Sequence, residues 1–467
     1  MIKICSLLVP FVLLAGCASF QPRPIEPSTT AAAFEARTLD TPALKQFMEQ
    51  NLHREITPWP PQSWDLTLLT LAAFYYHPDL DVARAKRDVA DAAVITAGGR
   101  SNPGMSSSAQ YNRDAASGTS PWALGLNLDI PLTTAGKRGY RTEQAQHLSQ
   151  AAHFNLAAAA WQVRSRLRAA LFDNHAAQQN EAALRSQETA QAEIVRLMEK
   201  RLAVGTAAKP EAVQTQIALA QTQLTLRNVQ MLLAQGHARL AAAIGVSTAA
   251  LDNFTVSLSD IALPPSENLN AAEMRRLALT NRTDILAALA EYEASQAALQ
   301  LEIANQYPDL RLGPGYTWDA GATKWSLGLS LPLPLLNRNE GPIAEAEARR
   351  KLAAANFTAL QARALGEVEQ ALAGYRTAAQ ALVAADSLLA EQKQARRSAL
   401  AQFESGGVDR LVAVSTQTEL ALAEIAQSNT WIAAQQALGR LEDALQRPLN
   451  ETLPATAENN PREENKP

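Results

Sequence analysis

The chain has 467 residues, enough for two or three ordinary domains. Its formal charge of −4 gives no electrostatic reason to expect nucleic-acid binding. Apolar residues make up 47% but aromatic residues only 5%, and alanine is abundant, so the composition favours helices that pack closely through small side chains.

The N-terminus, MIKICSLLVPFVLLAGCAS, has the layout of a secretory signal, with Lys3 followed by an apolar run. Its LAGC segment resembles a bacterial lipoprotein cleavage box. The resemblance implies removal of residues 1–16, lipid attachment to Cys17 and a lipid-anchored linker over 17–63. Because Ala18 and Ser19 follow the cysteine instead of aspartate, it also implies the outer membrane. The alternative is an ordinary signal with an incidental cysteine.

Cys5 would leave with the signal, so the mature chain would keep one cysteine and no internal disulfide. After the signal, no run of apolar residues reaches the 18 that a transmembrane helix needs. Any crossing of a membrane must therefore be made by strands.

Several short sequence segments recur in the same order at an offset of about 200 residues. HPDLDVARA returns as RTDILAALA, GLNLDIPL as GLSLPLPL, and VQTQIALAQ as VSTQTELAL. Ordered repetition of this kind indicates an internal duplication. We predict a first repeat over 64–246 and a second over 269–448, with a linker over 247–268 and a disordered polar tail over 449–467.

Each repeat has the same order of elements: a helical segment, a β-hairpin, a long helix and a returning helix. The hairpins are predicted over 105–132 and 309–334, and the long helices over 134–203 and 338–404. At 1.5 Å per residue these helices would be about 100 Å long, which is typical of coiled coils or helical arrays. The alternative is that each contains undetected breaks.

The second strand of each hairpin alternates between large apolar and small or polar residues. In a strand, alternate side chains lie on opposite faces. The polar face contains Asn127 and Asp129 in the first repeat and Ser330 in the second. The apolar face, which we predict to meet lipid, contains Trp122, Leu124, Leu126, Leu128, Trp325, Leu327, Leu329 and Leu331.

The strands have about the length that crosses a bilayer at a tilt, and tyrosines and tryptophans cluster at their loop ends, as in an aromatic girdle. The alternative is an ordinary β-sandwich. Two hairpins give only four strands, whereas open strand edges cannot face lipid. Several chains must then share one barrel, and the strand count alone permits a dimer, trimer or tetramer.

The duplicated order, the GLxLxxPL strand ends, the PDL helix start and RLAVG at the first turn resemble the TolC-like outer-membrane efflux proteins over nearly the whole mature chain. The resemblance implies a mainly α-helical fold with membrane β-strands: a homotrimer with a shared 12-stranded barrel and a long periplasmic α-barrel. It also implies a periplasmic adaptor protein and an inner-membrane pump of the RND type. SLPLPLLNRNEGPIAEA is most similar to the heavy-metal-cation branch, although drug-efflux relatives share much of it.

The resemblance implies passive, gated conduction. The turns between the long and returning helices would form tips that dock the adaptor, and they contain Val204, Gly205, Thr206, Ser405, Gly406 and Gly407. Candidate gate residues are Asp409, Arg410 and Ser415. Ser415 stands where several relatives have an acidic residue, and Asp409 is equally well explained as a helix N-cap.

No nucleophile motif, Walker loop, dinucleotide fingerprint or metal-ligand spacing is present in the sequence, so we expect no enzyme activity, no cofactor and no bound metal. Two other functions stay open. One is the exit duct of a type I protein secretion system. The other is a structural coiled-coil lipoprotein whose strands merely cap its helices.

Overall fold

The computed structural model describes residues 19–252, 254–258 and 261–449. Cys17, the signal segment and the polar tail after Leu449 lie outside the described residues. In chain order the elements are α1 (Pro27–Glu35), α2 (Pro42–Leu52), α3 (Leu66–Tyr76), α4 (Pro78–Gly98), β1 (Gly104–Tyr111), β2 (Trp122–Leu132), α5 (Lys137–Ala203), α6 (Lys209–Ile244), α7 (Ala271–Asn281), α8 (Thr283–Ala304), β3 (Leu310–Asp319), β4 (Ala322–Ser330), α9 (Glu340–Glu404) and α10 (Arg410–Leu445).

The four long helices give the molecule its shape. α5 has 67 residues and α9 has 65, so each is about 100 Å long. α6 and α10 return along them over 36 residues each. The sequence prediction of two very long helices without internal breaks is confirmed. Among the described residues, no helix combines the length and the apolarity that crossing a membrane requires.

Local chemistry explains where the helices begin. The Asp65 carboxylate caps α3 by accepting a hydrogen bond from the Leu68 amide, at 2.7 Å. Pro78 opens α4, where a missing N–H costs nothing. Pro342 is tolerated in α9 for the same reason, because it lies in the first turn.

The strands form one antiparallel sheet in the order β1-β2-β3-β4. The central pairing, β2 with β3, joins the two repeats, for example through Leu126 opposite Tyr316. β4 ends at Ser330 because Pro332 and Pro334 follow and cannot donate ladder hydrogen bonds. Leu331, which we placed on the lipid-facing strand, therefore lies one residue beyond β4.

Two apolar cores hold the helices together below the sheet. The larger one surrounds α3, whose Leu69, Leu71 and Ala72 are fully buried. The smaller one lies among α7, α9 and α10 around Tyr375 and Leu441. Alanine is frequent at the buried helix positions, which lets the backbones approach closely.

Candidate functional site: the strand face and the helical tips

The register of the sheet places large apolar side chains on one common face. Leu126 lies opposite Tyr316, and Leu327 opposite Pro314. The side chains predicted to meet lipid are all exposed in the single chain, from Leu128 at 40% to Trp325 at 80%. A row of exposed leucines and tryptophans this long matches an apolar environment better than water.

Each hairpin has an aromatic pair in the half that is nearer its connecting loop. The rings of Tyr111 and Trp122 lie 5.1 Å apart, and those of Tyr316 and Trp325 lie 5.0 Å apart. Both are edge-to-face pairs of cross-strand neighbours. Such amphipathic rings favour the boundary between hydrocarbon and water. The first pair lies at the loop ends of β1 and β2, whereas Tyr316 of the second lies opposite Leu126, four residues along β2 from Trp122.

The opposite face is small and polar. Asn127 and Ser326 flank Gly315, where an added Cβ would come within 2.3 Å of the Asn127 Oδ1 atom and 2.6 Å of the Ser326 Oγ atom. Glycine therefore makes room for these polar side chains. Near the far end of the strands, Arg311 donates to Asp129 at 2.8 Å. This face can line a water-filled passage.

The first joint between strand and long helix is tied to the second repeat. The Asp309 carboxylate accepts hydrogen bonds from the Thr134 amide at 2.9 Å and from the Lys137 ammonium at 2.8 Å. These contacts hold the start of α5 beside the start of β3. The sheet is thereby fixed on top of the helices.

At the other end of the molecule, the two turns between long and returning helices have matching geometry. Gly205 has φ 76° and Gly406 has φ 77°, a left-handed conformation that glycine adopts without strain. The Thr206 amide donates to the Arg201 carbonyl at 2.8 Å, and the Gly407 amide to the Gln402 carbonyl at 2.7 Å. The turn residues Val204, Gly205, Thr206, Ser405, Gly406 and Gly407 are all exposed.

The candidate gate residues separate into two groups. Asp409 caps α10 by accepting from the Leu411 amide at 2.9 Å and also forms an ion pair with Arg201 at the end of α5. Arg410 lies 2.9 Å from Glu193 of α5. Ser415 donates only to the Val412 carbonyl of its own helix among the described contacts. Asp409 and Arg410 thus join the two helical hairpins near their tips, whereas Ser415 does not.

Comparison with known proteins identifies this architecture. The family model "Outer membrane efflux protein" matches residues 73–246 and 274–446, one match for each repeat. The chain belongs to the outer membrane efflux protein family. It is an efflux channel of the outer membrane, in agreement with the resemblance inferred from the sequence, and its fold is that of these channels.

Individual relatives agree with the family. The cobalt-zinc-cadmium resistance protein CzcC of Cupriavidus metallidurans is 25% identical over 308 residues, which cover 64% of this chain and 71% of that protein. The outer membrane protein VceC of Vibrio cholerae has a TM-score of 0.66 at 22% identity, over 81% of this chain and 95% of its own. The outer membrane channel CmeC of Campylobacter jejuni has a TM-score of 0.65 at 17% identity, over 92% and 93%.

Sequence reasoning missed the polar cluster that joins the repeats of this efflux channel below the sheet. Arg164 and Arg168 of α5 both approach a carboxylate oxygen of Glu442 in α10, at 3.3 and 3.6 Å, and all three side chains are buried. The neighbouring Asp443 accepts from the Trp161 indole at 2.8 Å, and burial raises the pKa of its carboxyl group. Charges this deep need such partners, so the cluster fixes α5 against α10.

Arg201 and Glu193 were also missed as partners of the candidate gate residues. Arg201 lies in the RLAVG motif and in the last turn of α5, where a basic side chain complements the helix dipole. That local role gave no reason to search for a partner in the second repeat. Its ion pair with Asp409 joins the first repeat to the second, and the two residues come together only when the chain folds.

Proposed function

We propose that this efflux channel is the exit duct of a tripartite exporter of metal cations. Three identical chains form the duct, a periplasmic adaptor binds its helical tips, and an inner-membrane pump of the RND type supplies the energy. Conduction through the duct itself is passive. Lipid on Cys17 anchors the chain in the outer membrane.

One observation carries the assembly: the sheet has two free edges and an apolar face. Among the described residues, β1 and β4 each pair with only one other strand. Unpaired backbone groups cannot face lipid, so β4 of one copy must pair with β1 of the next. Four strands from each of three copies give twelve, which exceeds the minimum of about eight for a closed membrane barrel.

The two faces of the sheet then have distinct roles. The leucine and tryptophan face meets lipid, and the face with Asn127, Gly315 and Ser326 lines an aqueous lumen. The long helices continue this passage into the periplasm. A passage of this kind needs no catalytic group of its own.

The tips are proposed to dock the adaptor and to carry the gate. The six exposed turn residues offer two similar surfaces, one in each repeat. Directly above them, the pairs Arg201–Asp409 and Arg410–Glu193 hold the two helical hairpins together. We propose that these pairs stabilise the closed state and separate when the tips spread. Gly205→Pro or Gly406→Pro should abolish export while trimers still form.

The choice of cargo rests on the similarity to a cobalt-zinc-cadmium resistance protein and on the segment SLPLPLLNRNEGPIAEA. Drugs are the second class of cargo for this family. The two classes predict different resistance profiles for a strain that lacks this channel.

The test is resistance profiling of a deletion strain complemented with the wild-type chain or with Gly406→Pro. We expect loss of resistance to cobalt, zinc and cadmium salts, rescue by the wild type and no rescue by the tip variant. Loss of resistance to antibiotics or biocides alone would reassign the cargo to drugs. Loss of a secreted polypeptide would assign type I secretion, and an unchanged strain whose purified protein shows no bilayer conductance would leave a structural lipoprotein.

A further inference from the structure

We infer that a cavity inside the helical portion of each protomer binds a small organic cation. The cavity has a volume of about 590 Å³ and lies between α5, α9 and α10, beneath the linker that joins the repeats. Its walls include His175, Leu258, Leu389, Glu424, Gln427 and Trp431. A volume of this size is within the range of about 300–1,000 Å³ that is usual for small-molecule sites.

An aromatic wall forms one side of the cavity. The Trp431 ring meets the Phe172 ring edge-to-face at 5.7 Å and the His175 ring at 5.9 Å. These contacts fix the indole between α5 and α10. Indole is the side chain that attracts cations most strongly through its π-face.

The cavity also holds an uncompensated negative charge. Glu424 is half-buried and is the one charged side chain among the described residues that line this cavity. Within the part of the chain that the structure describes, its carboxylate has no hydrogen bond or ion pair. Burial lowers the pKa of His175, so this imidazole is neutral at neutral pH and does not oppose a bound cation.

The other large cavities lack this combination. The one between α5, α8 and α9 contains Glu291, Glu302 and Glu345 but also Arg349, and no aromatic side chain is among its described lining residues. The one between α9 and α10 contains Glu367, which is 2.6 Å from Arg282. Of these three cavities, the one beside Trp431 combines a carboxylate without a protein partner, among the described residues, with an aromatic wall.

The same lining argues for an organic cation over a metal ion. A metal site in a protein needs three or more ligating side chains, and the described residues contain no such group of His, Cys, Asp and Glu. Leu258 and Leu389 instead offer apolar surface. A ligand with an ammonium group and a small apolar body satisfies the carboxylate, the indole and the leucines together.

This site does not depend on the proposed conduction, because all of its residues lie within one protomer. The test uses the purified full-length chain in a non-ionic detergent and isothermal titration with benzyltrimethylammonium chloride. We expect saturable binding that weakens at least about tenfold in Glu424→Gln and about tenfold in Trp431→Leu. Glu419→Gln, an exposed carboxylate on the same helix outside the cavity, should bind as the wild type does.

Circular dichroism and the trimer band report whether each variant folds, and Trp431→Phe, which keeps a weaker ring, replaces Trp431→Leu if the latter does not. An absence of saturable binding overturns the proposal. It is also overturned if Glu424→Gln binds unchanged or if benzenesulfonate binds equally well. Binding of zinc chloride that is lost in His175→Ala, in a protein that does not bind the ammonium probe, would show a metal site instead.

Discussion

In the first repeat, the residue before α4 is His77, and in the second repeat the corresponding residue before α8 is Arg282. Both are buried, but their surroundings differ. The His77 Nδ1 atom accepts a hydrogen bond from the Asp79 amide at 3.2 Å. Arg282 donates to Asp284 at 2.7 Å, to Glu367 at 2.6 Å and to the Ala444 carbonyl at 3.0 Å.

The first repeat obtains its guanidinium from elsewhere in the chain. Arg37, between α1 and α2, donates to the Tyr76 carbonyl at 2.9 Å and to the Gly245 carbonyl at 2.7 Å. In each repeat an arginine therefore binds carbonyls at the end of the returning helix, Gly245 after α6 and Ala444 in α10. Both repeats therefore have an arginine at the end of the returning helix, but the two arginines come from different parts of the chain.

The two joints between strand and long helix also differ. The first is held by Asp309 at the start of β3. At the second, the Asn339 side-chain amide donates to Glu302 at the end of α8, while Leu333, Leu335 and Leu336 are exposed. β2, which leads into the first joint, pairs with β3, whereas β4, which leads into the second, is an edge strand among the described residues. By the pseudo-symmetry of the repeats, the second joint should meet its partner in the next copy.

Arginine substitutions on the sheet test whether both repeats present one lipid-facing surface. Leu126→Arg and Leu329→Arg should each prevent outer-membrane assembly, because an arginine near the middle of the bilayer costs about 2–4 kcal/mol and is repeated in every copy. The measurement is the amount of heat-modifiable trimer in isolated outer membranes. Asn127→Arg and Ser330→Arg are the matched controls on the polar face. Equal tolerance on both faces would contradict the assignment, and damage from only one leucine would show that the repeats are not equivalent.

Substitution of Gly245 tests the close packing of the end of α6 against Tyr76 and His77. Gly245 has φ 89°, and an added Cβ would lie 2.9 Å from the His77 Cα atom and from the Tyr76 carbonyl oxygen. Gly245→Ala should lower the free energy of unfolding by about 3 kcal/mol, from backbone strain and from overpacking. Thermal unfolding followed by circular dichroism measures this.

Gly205→Ala is the control for that prediction, since Gly205 has a similar φ of 76° but nothing within 4 Å of the added atom. It should cost only about 1 kcal/mol. If both substitutions destabilise equally, the contact between α6 and the start of α4 is not what restricts Gly245.

Arg282→Met tests the buried guanidinium of the second repeat. Its loss leaves the Ala444 carbonyl and two partly exposed carboxylates without their partner, and we expect a loss of about 2 kcal/mol in urea unfolding. Arg166→Met, which removes an exposed ion pair with Asp79, should cost less than about 1 kcal/mol. Equal losses would mean that a buried Arg282 stabilises the fold no more than an exposed arginine does.

Recurring segments were sufficient to predict the duplication, and local sequence pattern was sufficient to predict the two unbroken long helices and the alternation along β2 and β4. The helices and the alternation depend on neighbours a few residues apart. The pairs Arg201–Asp409 and Trp161–Asp443 were not predictable, because their partners lie more than 200 residues apart and neither residue type is unusual on a helix. The cavity beside Trp431 likewise needs three helices and a linker to exist. The spacing of apolar residues along a helix shows which of its faces is buried, but it does not show which other helix packs against that face.

The last prediction concerns a small pH dependence that comes from His77 and has no counterpart at Arg282. Burial, more than any neighbouring charge, lowers the pKa of His77 below its ordinary value of 6.5, although Asp79 opposes the shift. The folded protein thus binds a proton here less readily than the unfolded chain does. The stabilisation from neutral His77 is fully present above pH 6.5 and is lost as the pH falls through the lower pKa of the folded state.

His77→Asn should remove this part of the pH dependence, because an asparagine side chain can accept the Asp79 amide at any pH in this range. The expected difference in unfolding free energy between pH 7 and pH 5 is no more than about 1 kcal/mol. His153→Asn, at an exposed position, should leave unchanged the part of the pH dependence of unfolding that comes from His77. Arg282 stays charged throughout this pH range. If the dependence of the unfolding free energy on pH is unchanged in His77→Asn, then the loss of stability in acid does not come from His77.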